Sequence, residues 1–143
     1  MIYDHAEELA FHYLAHIVPD PLTTACKIGR PLYVDICLRH HLDPYPVWAF
    51  LAACQYRHRW VVELLLSRPE YNYFRGSVER GLWYATTSGD IEIAKLMIEH
   101  GAVMVGSALA MLELRPLPKE GREIRAYLSS LMGQTNSNGD RYF

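Results

Sequence analysis

Apolar residues recur along the chain at helical spacing. Over residues 4–18, Leu9, Tyr13, Leu14 and Ile17 fall on one side behind an acidic start at Glu7 and Glu8, which predicts an amphipathic helix. Residues 82–102 predict a short helix, a tight turn and a longer helix. Gly89 can take the positive φ that ends the first, Asp90 can N-cap the second, and Gly101 can stop it in a left-handed conformation. In that second helix Ile93, Leu96, Met97 and Ile98 cluster on one side, leaving Glu92, Lys95 and Glu99 for water.

The unit is repeated. Thirty-two residues earlier, residues 50–66 run through small residues, a turn and an apolar stripe in the same order. A further 28 back, residues 20–38 do so again, with Asp20 and Pro21 as an N-cap and a first-turn proline. A repeat of this length decides an architecture by itself, because one unit cannot bury its apolar face without a neighbour.

At these residues the chain resembles the ankyrin repeat, whose pattern runs Thr-Pro-Leu-His, a small Ala-Ala pair, Gly-His, two aliphatics, three leucine-like positions, then Gly-Ala-Asp. The match covers residues 20–102. The third copy carries it with Ala85, Gly89, Ile93, Leu96 to Ile98 and Gly101-Ala102, the first with Pro21-Leu22, Ala25-Cys26, Gly29 and the closing Asp43. The second copy has Arg57 at the turn glycine, which strains a positive φ, and no copy has the full Thr-Pro-Leu-His start.

The resemblance implies an all-α solenoid of stacked helix-turn-helix units with shortened connectors and at most one hairpin-like finger, over residues 69–80. One domain is then expected over residues 1–132: a capping helix at 1–18, repeats at 20–44, 48–69 and 80–102, and a diverged capping repeat at 106–132. In that last unit Ser107 is placed to N-cap a helix over 108–114. A helix over 119–132 follows, with Ile124, Tyr127, Leu128 and Leu131 inward. The polar, glycine-containing residues 133–143 read as a flexible tail, with Tyr142 and Phe143 an incidental end.

Composition narrows the function. Fourteen Lys and Arg against sixteen Asp and Glu, for a formal charge of -2, leave no basic excess to track a polyanion, so no nucleic-acid partner is expected. The amino terminus lacks the basic start and apolar run of a signal peptide, and no stretch has eighteen uninterrupted apolar residues; a cytoplasmic protein without a membrane span is expected. Cys26, Cys37 and Cys54 are odd in number and have no short paired spacing, and their places in the repeat read as small core positions.

Little here points to chemistry. His12 and His16, four apart, could clamp a metal, but no third ligand stands at a sensible spacing. His40 and His41 read as helix-end residues and His58 as the histidine of the family's turn. Phosphate-loop, nucleophile-elbow and His-Glu-x-x-His signatures do not occur. The expectation is a non-enzyme without cofactor or metal.

Recognition needs no such motif. By the resemblance, partner contacts come from the exposed end of each first helix, here Lys27 and Ile28, Gln55 and Tyr56, and Thr87 and Ser88. The finger would add Tyr71, Asn72, Tyr73, Phe74 and Arg75, aromatic-rich as binding hot spots are. Trp48, Trp60 and Trp83 are expected to fill gaps left by short connectors. The function implied is a monomeric binding module that holds one protein through its concave face and finger, as adaptor or stoichiometric inhibitor, including immunity or host-interaction roles. A structural subunit of a larger assembly and a metal-dependent enzyme centred on His12 and His16 are the rival readings.

Overall fold

Helical spacing in the sequence becomes a chain of short helices in the computed structural model, which describes residues 5–42, 46–68, 75–115 and 119–142. In order they are α1 (His5–His16), α2 (Pro21–Ile28), α3 (Pro31–Arg39), α4 (Pro46–Gln55), α5 (Arg59–Leu66), α6 (Arg75–Ser88), α7 (Ile91–Glu99), α8 (Val105–Leu114) and α9 (Glu120–Leu131). No strand occurs among the described residues, only an isolated antiparallel bridge between Thr135 and Arg141.

Packing runs from neighbour to neighbour. Each of α2, α4, α6 and α8 packs on the helix that follows it, giving sequential pairs. The even-numbered helices also pack in series, α2 on α4, α4 on α6 and α6 on α8, while α1, α3, α5, α7 and α9 form a second series.

Burial repeats in register with this packing. Pro21, Leu22, Ala25 and Cys26 of α2 are buried, and so are the residues 28 further on (Ala49, Phe50, Ala53, Cys54) and 32 beyond those (Gly81, Leu82, Ala85, Thr86). The odd series does the same with Val34, Cys37 and Leu38, then Val62, Leu65 and Leu66, then Ala94, Met97 and Ile98. Small residues in the quartets let helices approach closely: a Cβ on Gly81 would stand 2.4 Å from Met97 Sδ. Each fully buried Leu, Ile or Phe contributes about 1.5–3 kcal/mol by leaving water, so these stripes supply most of the cohesion.

The turns follow local chemistry. Residues 29, 57 and 89 share one place in the repeat and all have positive φ, at 78°, 64° and 81°. Glycine takes this conformation freely at two of them; Arg57 does so at a cost of about 1–2 kcal/mol. Asp20 accepts a hydrogen bond from Thr23 N (3.4 Å) and Asp90 one from Ile93 N (3.1 Å), so both act as the N-caps their positions predict. A contact between copies joins the turns. The His58 ring Nε2 lies 2.7 Å from Lys27 O, and a Cβ on Gly29 would stand 2.3 Å from His58 Nδ1.

Three local expectations change. In α1 the covered side is Ala10, Phe11 and Leu14, continued by Val18, whereas Leu9, Tyr13 and Ile17 are exposed, because α1 packs principally on α3 and one helix covers only one narrow stripe. Phe11 meets the His40 ring at a centroid distance of 4.3 Å, and Glu7 pairs with Arg39. Helix α8 starts at Val105, which leaves Ser107 inside its first turn; the loop before it is held instead by Glu79 of α6, whose carboxylate accepts hydrogen bonds from Val103 N (2.7 Å) and Met104 N (3.1 Å). Residues 75–80, assigned to the finger, form the first turns of α6.

Residues 134–142, read from composition as a flexible tail, have a defined path. Asn136 is buried, its Oδ1 accepting hydrogen bonds from Asn138 N (3.0 Å) and Asp140 N (2.8 Å) and its Nδ2 donating to Gly101 O (3.5 Å). Tyr142 is also buried, and desolvation raises its phenol pKa. An asparagine that meets both loop amides and a neighbouring carbonyl folds a polar segment without an apolar run.

Candidate partner-binding face

In each first helix, burial of the quartet decides which residues remain at the surface. On α6 the residues outside it include Arg80 and Trp83, which are exposed, and Thr87, which is half-buried; their i, i+3, i+7 spacing is one stripe. Thirty-two residues earlier the same positions are Trp48, Leu51 and Gln55, of which only Leu51 is buried. Trp48 is 59% exposed and Trp83 48%.

The tryptophans therefore do not fill the core, contrary to expectation. The inward positions of α4 and α6 are already occupied by Ala49, Phe50, Ala53, Gly81, Leu82 and Ala85, and helices packed through alanine and glycine leave no gap of indole size. Trp60, at the start of α5, is 73% exposed.

The helix ends named from the sequence lie in series, since α2 packs on α4 and α4 on α6. Lys27, Ile28, Gln55 and Tyr56 are exposed, Tyr56 by 49%. Thr87 and Ser88 are half-buried, and their hydroxyls donate back to their own helix, Thr87 to Tyr84 O (2.9 Å) and Ser88 to Ala85 O (3.3 Å), so they are less available at the surface than the other four. Tyr71, Asn72, Tyr73 and Phe74 lie outside the described residues, as does the side chain of Arg75, the first residue of α6.

Two surface clefts accompany this face. Between α6 and α8 a cleft of about 210 Å³ is lined by Leu82, Trp83, Met104 and Ala108, with Glu79, Arg80 and Ser107 at its rim. Its lining is almost wholly apolar. Sequence reading missed it because Met104 and Ala108 face Trp83 only once α8 has packed on α6; the one local signal was the Arg80, Trp83, Thr87 stripe. The second cleft, of about 490 Å³, is lined by turn residues Gly29, Arg57, His58, Gly89 and Asp90 and by Glu120 and Glu123 of α9, and its wall is mixed polar and apolar. Two of its cations are already paired within it, Arg57 with Asp90 at 3.6 Å and Arg59 with Glu92 at 3.7 Å.

The nucleophile candidates are poorly placed for chemistry. Cys26, Cys37 and Cys54 are buried, and none is in a disulfide. Desolvation pushes the Cys54 thiol up to about 12, with the Asp90 carboxylate adding to the effect, and it raises Cys26 in the same direction, so neither is a thiolate at neutral pH. His12 and His16 are exposed, with rings stacked at 5.7 Å, and among the described residues no group of three His, Cys, Asp or Glu side chains is placed to hold a metal. Among the same residues no helix is long and apolar enough to cross a membrane.

The chain matches no protein-family model, no curated protein and no solved structure.

Proposed function

We propose that this chain is a non-catalytic binding module, an ankyrin-like solenoid of helix-turn-helix units that holds one protein partner against the exposed side of its first helices. In this reading it works as a monomer in the cytoplasm, as an adaptor or a stoichiometric inhibitor. The observation that carries it is the set of large aromatic side chains, Trp48, Tyr56 and Trp83, left about half exposed or more on or at the ends of helices that pack in series. Rings in water forgo the burial that would stabilise the fold, and they are the residue types that dominate protein interfaces when covered. Lys27, Ile28 and Gln55 extend the same surface with polar and aliphatic groups.

The test is affinity capture followed by calorimetric titration with the purified captured protein. Saturable one-to-one binding, weakened at least tenfold by Trp83→Ala combined with Tyr56→Ala in a variant that keeps its helicity, is the expected result. Binding that is unaffected by these substitutions, or absence of any saturable partner, refutes the reading.

A second reading, a subunit of a larger assembly, is favoured by one feature, the exposed stripe of Leu9 and Tyr13 on α1 continued by Ile17 just after it. It requires concentration-dependent oligomers in sedimentation, abolished by Tyr13→Glu.

A further inference from the structure

The apolar cleft between α6 and α8 combines three properties that together define an occupant. Its volume, about 210 Å³, lies below the roughly 300 Å³ at which pockets for drug-sized ligands begin, and is suited to a single large side chain. Its lining brings together the Trp83 indole, the Met104 thioether, Leu82 and Ala108, surfaces that hold aromatic and aliphatic groups alike.

The rim carries two charges of opposite sign, but they are not equally available. Both Glu79 oxygens are engaged by backbone amides at the start of α8, at 2.7 and 3.1 Å from Val103 N and Met104 N, so this carboxylate already has partners and its charge sits against the positive end of a helix. Arg80 is exposed and makes no ion pair among the described residues. The cleft therefore presents an apolar socket beside a guanidinium that has no ion-pair partner among the described residues, and whose planar fork suits a carboxylate.

We infer that this cleft is the anchor subsite of the binding face and receives one bulky apolar side chain from an acidic segment of a protein partner, with a neighbouring carboxylate pairing to Arg80. The assignment rests on the protein-binding reading above and gives it a partner chemistry: an aromatic or large aliphatic residue flanked by Asp or Glu. A basic segment is disfavoured at this place, because it would bring like charge to Arg80.

Two synthetic peptides test this, acetyl-Gly-Asp-Phe-Asp-Gly-amide and its counterpart with both Asp replaced by Lys, titrated into the full chain and followed by proton–nitrogen correlation spectra. The Trp83 indole N–H is assigned by its loss in Trp83→Phe. The acidic peptide is expected to shift the Trp83 indole saturably and to bind about tenfold more tightly than the basic one, and Arg80→Glu, at an exposed position with no ion pair among the described residues, is expected to reverse the preference. Equal binding of the two peptides, or a preference that survives Arg80→Glu, overturns the inference. Shifts confined to Lys27, Gln55 and Tyr56 also overturn it, while leaving the protein-binding reading in place with its anchor at the helix ends. A Trp83 shift that grows with protein concentration alone assigns the cleft to a second copy of the chain and overturns it as well. Absence of any shift with either peptide removes the anchor assignment, and the titration with the captured partner then decides separately whether the module binds protein.

Discussion

Gly29→Ala should be the most informative single substitution, because two separable costs meet at one atom. Gly29 has φ 78°, where an alanine costs about 1–2 kcal/mol from the clash of its Cβ with the backbone. The same Cβ would stand 2.3 Å from Nδ1 and 2.4 Å from Cε1 of the His58 ring, which must then move. That ring holds the 2.7 Å contact to Lys27 O, and losing one such bond costs about 1 kcal/mol. The sum is about 2–3 kcal/mol. Gly133→Ala supplies the reference: its φ is 85° and nothing lies within 4 Å of the added Cβ, so only the backbone cost of about 1–2 kcal/mol applies. Equilibrium urea denaturation followed by circular dichroism measures both, and in a His58→Ala background Gly29→Ala should fall to the reference cost. If Gly29→Ala and Gly133→Ala are equal, or if the cost of Gly29→Ala is unchanged without the His58 ring, the packing of one turn on the next does not hold the repeats together as argued.

Neighbouring residues on α6 should behave oppositely. Leu82→Ala, at a fully buried position, costs about 2–5 kcal/mol, whereas Trp83→Ala, half exposed, costs about 1 kcal/mol or less; comparable losses in urea melts would place Trp83 in the core. The cysteines should resist a thiol-specific reagent in the folded protein at neutral pH and react when it is unfolded in urea. The pKa values of Cys26 and Cys54 are raised on folding, so the folded state keeps protons that the unfolded chain loses above pH 9.0; the contribution of Cys54 is full below that pH and declines as pH rises toward about 12. Stability that increases over this alkaline range, or rapid reaction of the folded thiols, contradicts their burial. Asn136→Ala removes the acceptor of two loop amides and should cost about 1–3 kcal/mol locally, seen as faster hydrogen exchange at Asn138 and Asp140; unchanged protection there means that the loop is held by other contacts.

What could be read from the chain was whatever depends on residues a few positions apart. The caps at Asp20 and Asp90, the left-handed turns at Gly29, Arg57, Gly89 and Gly101, and the apolar stripes of α5 and α7 are short-range consequences of backbone sterics, side-chain hydrogen bonding and helical period, and the repeat at 28 and 32 residues displayed them more than once. Buried placement of all three cysteines followed from their position in that repeat. What the tertiary structure decided was which of several apolar stripes found a neighbour. Leu9, Tyr13 and Ile17 form as regular a stripe as Phe11, Leu14 and Val18, and only the docking of α1 on α3 chooses between them. Trp48 and Trp83 are hydrophobic enough for a core, but the close approach of α2, α4 and α6 through small residues leaves them outside. Glu79 meets Val103 and Asn136 meets Gly101 across 24 and 35 residues of chain. Helical period specifies the face of a helix, whereas burial is a property of two helices, and the pairing of distant segments is set by the packing of the whole chain.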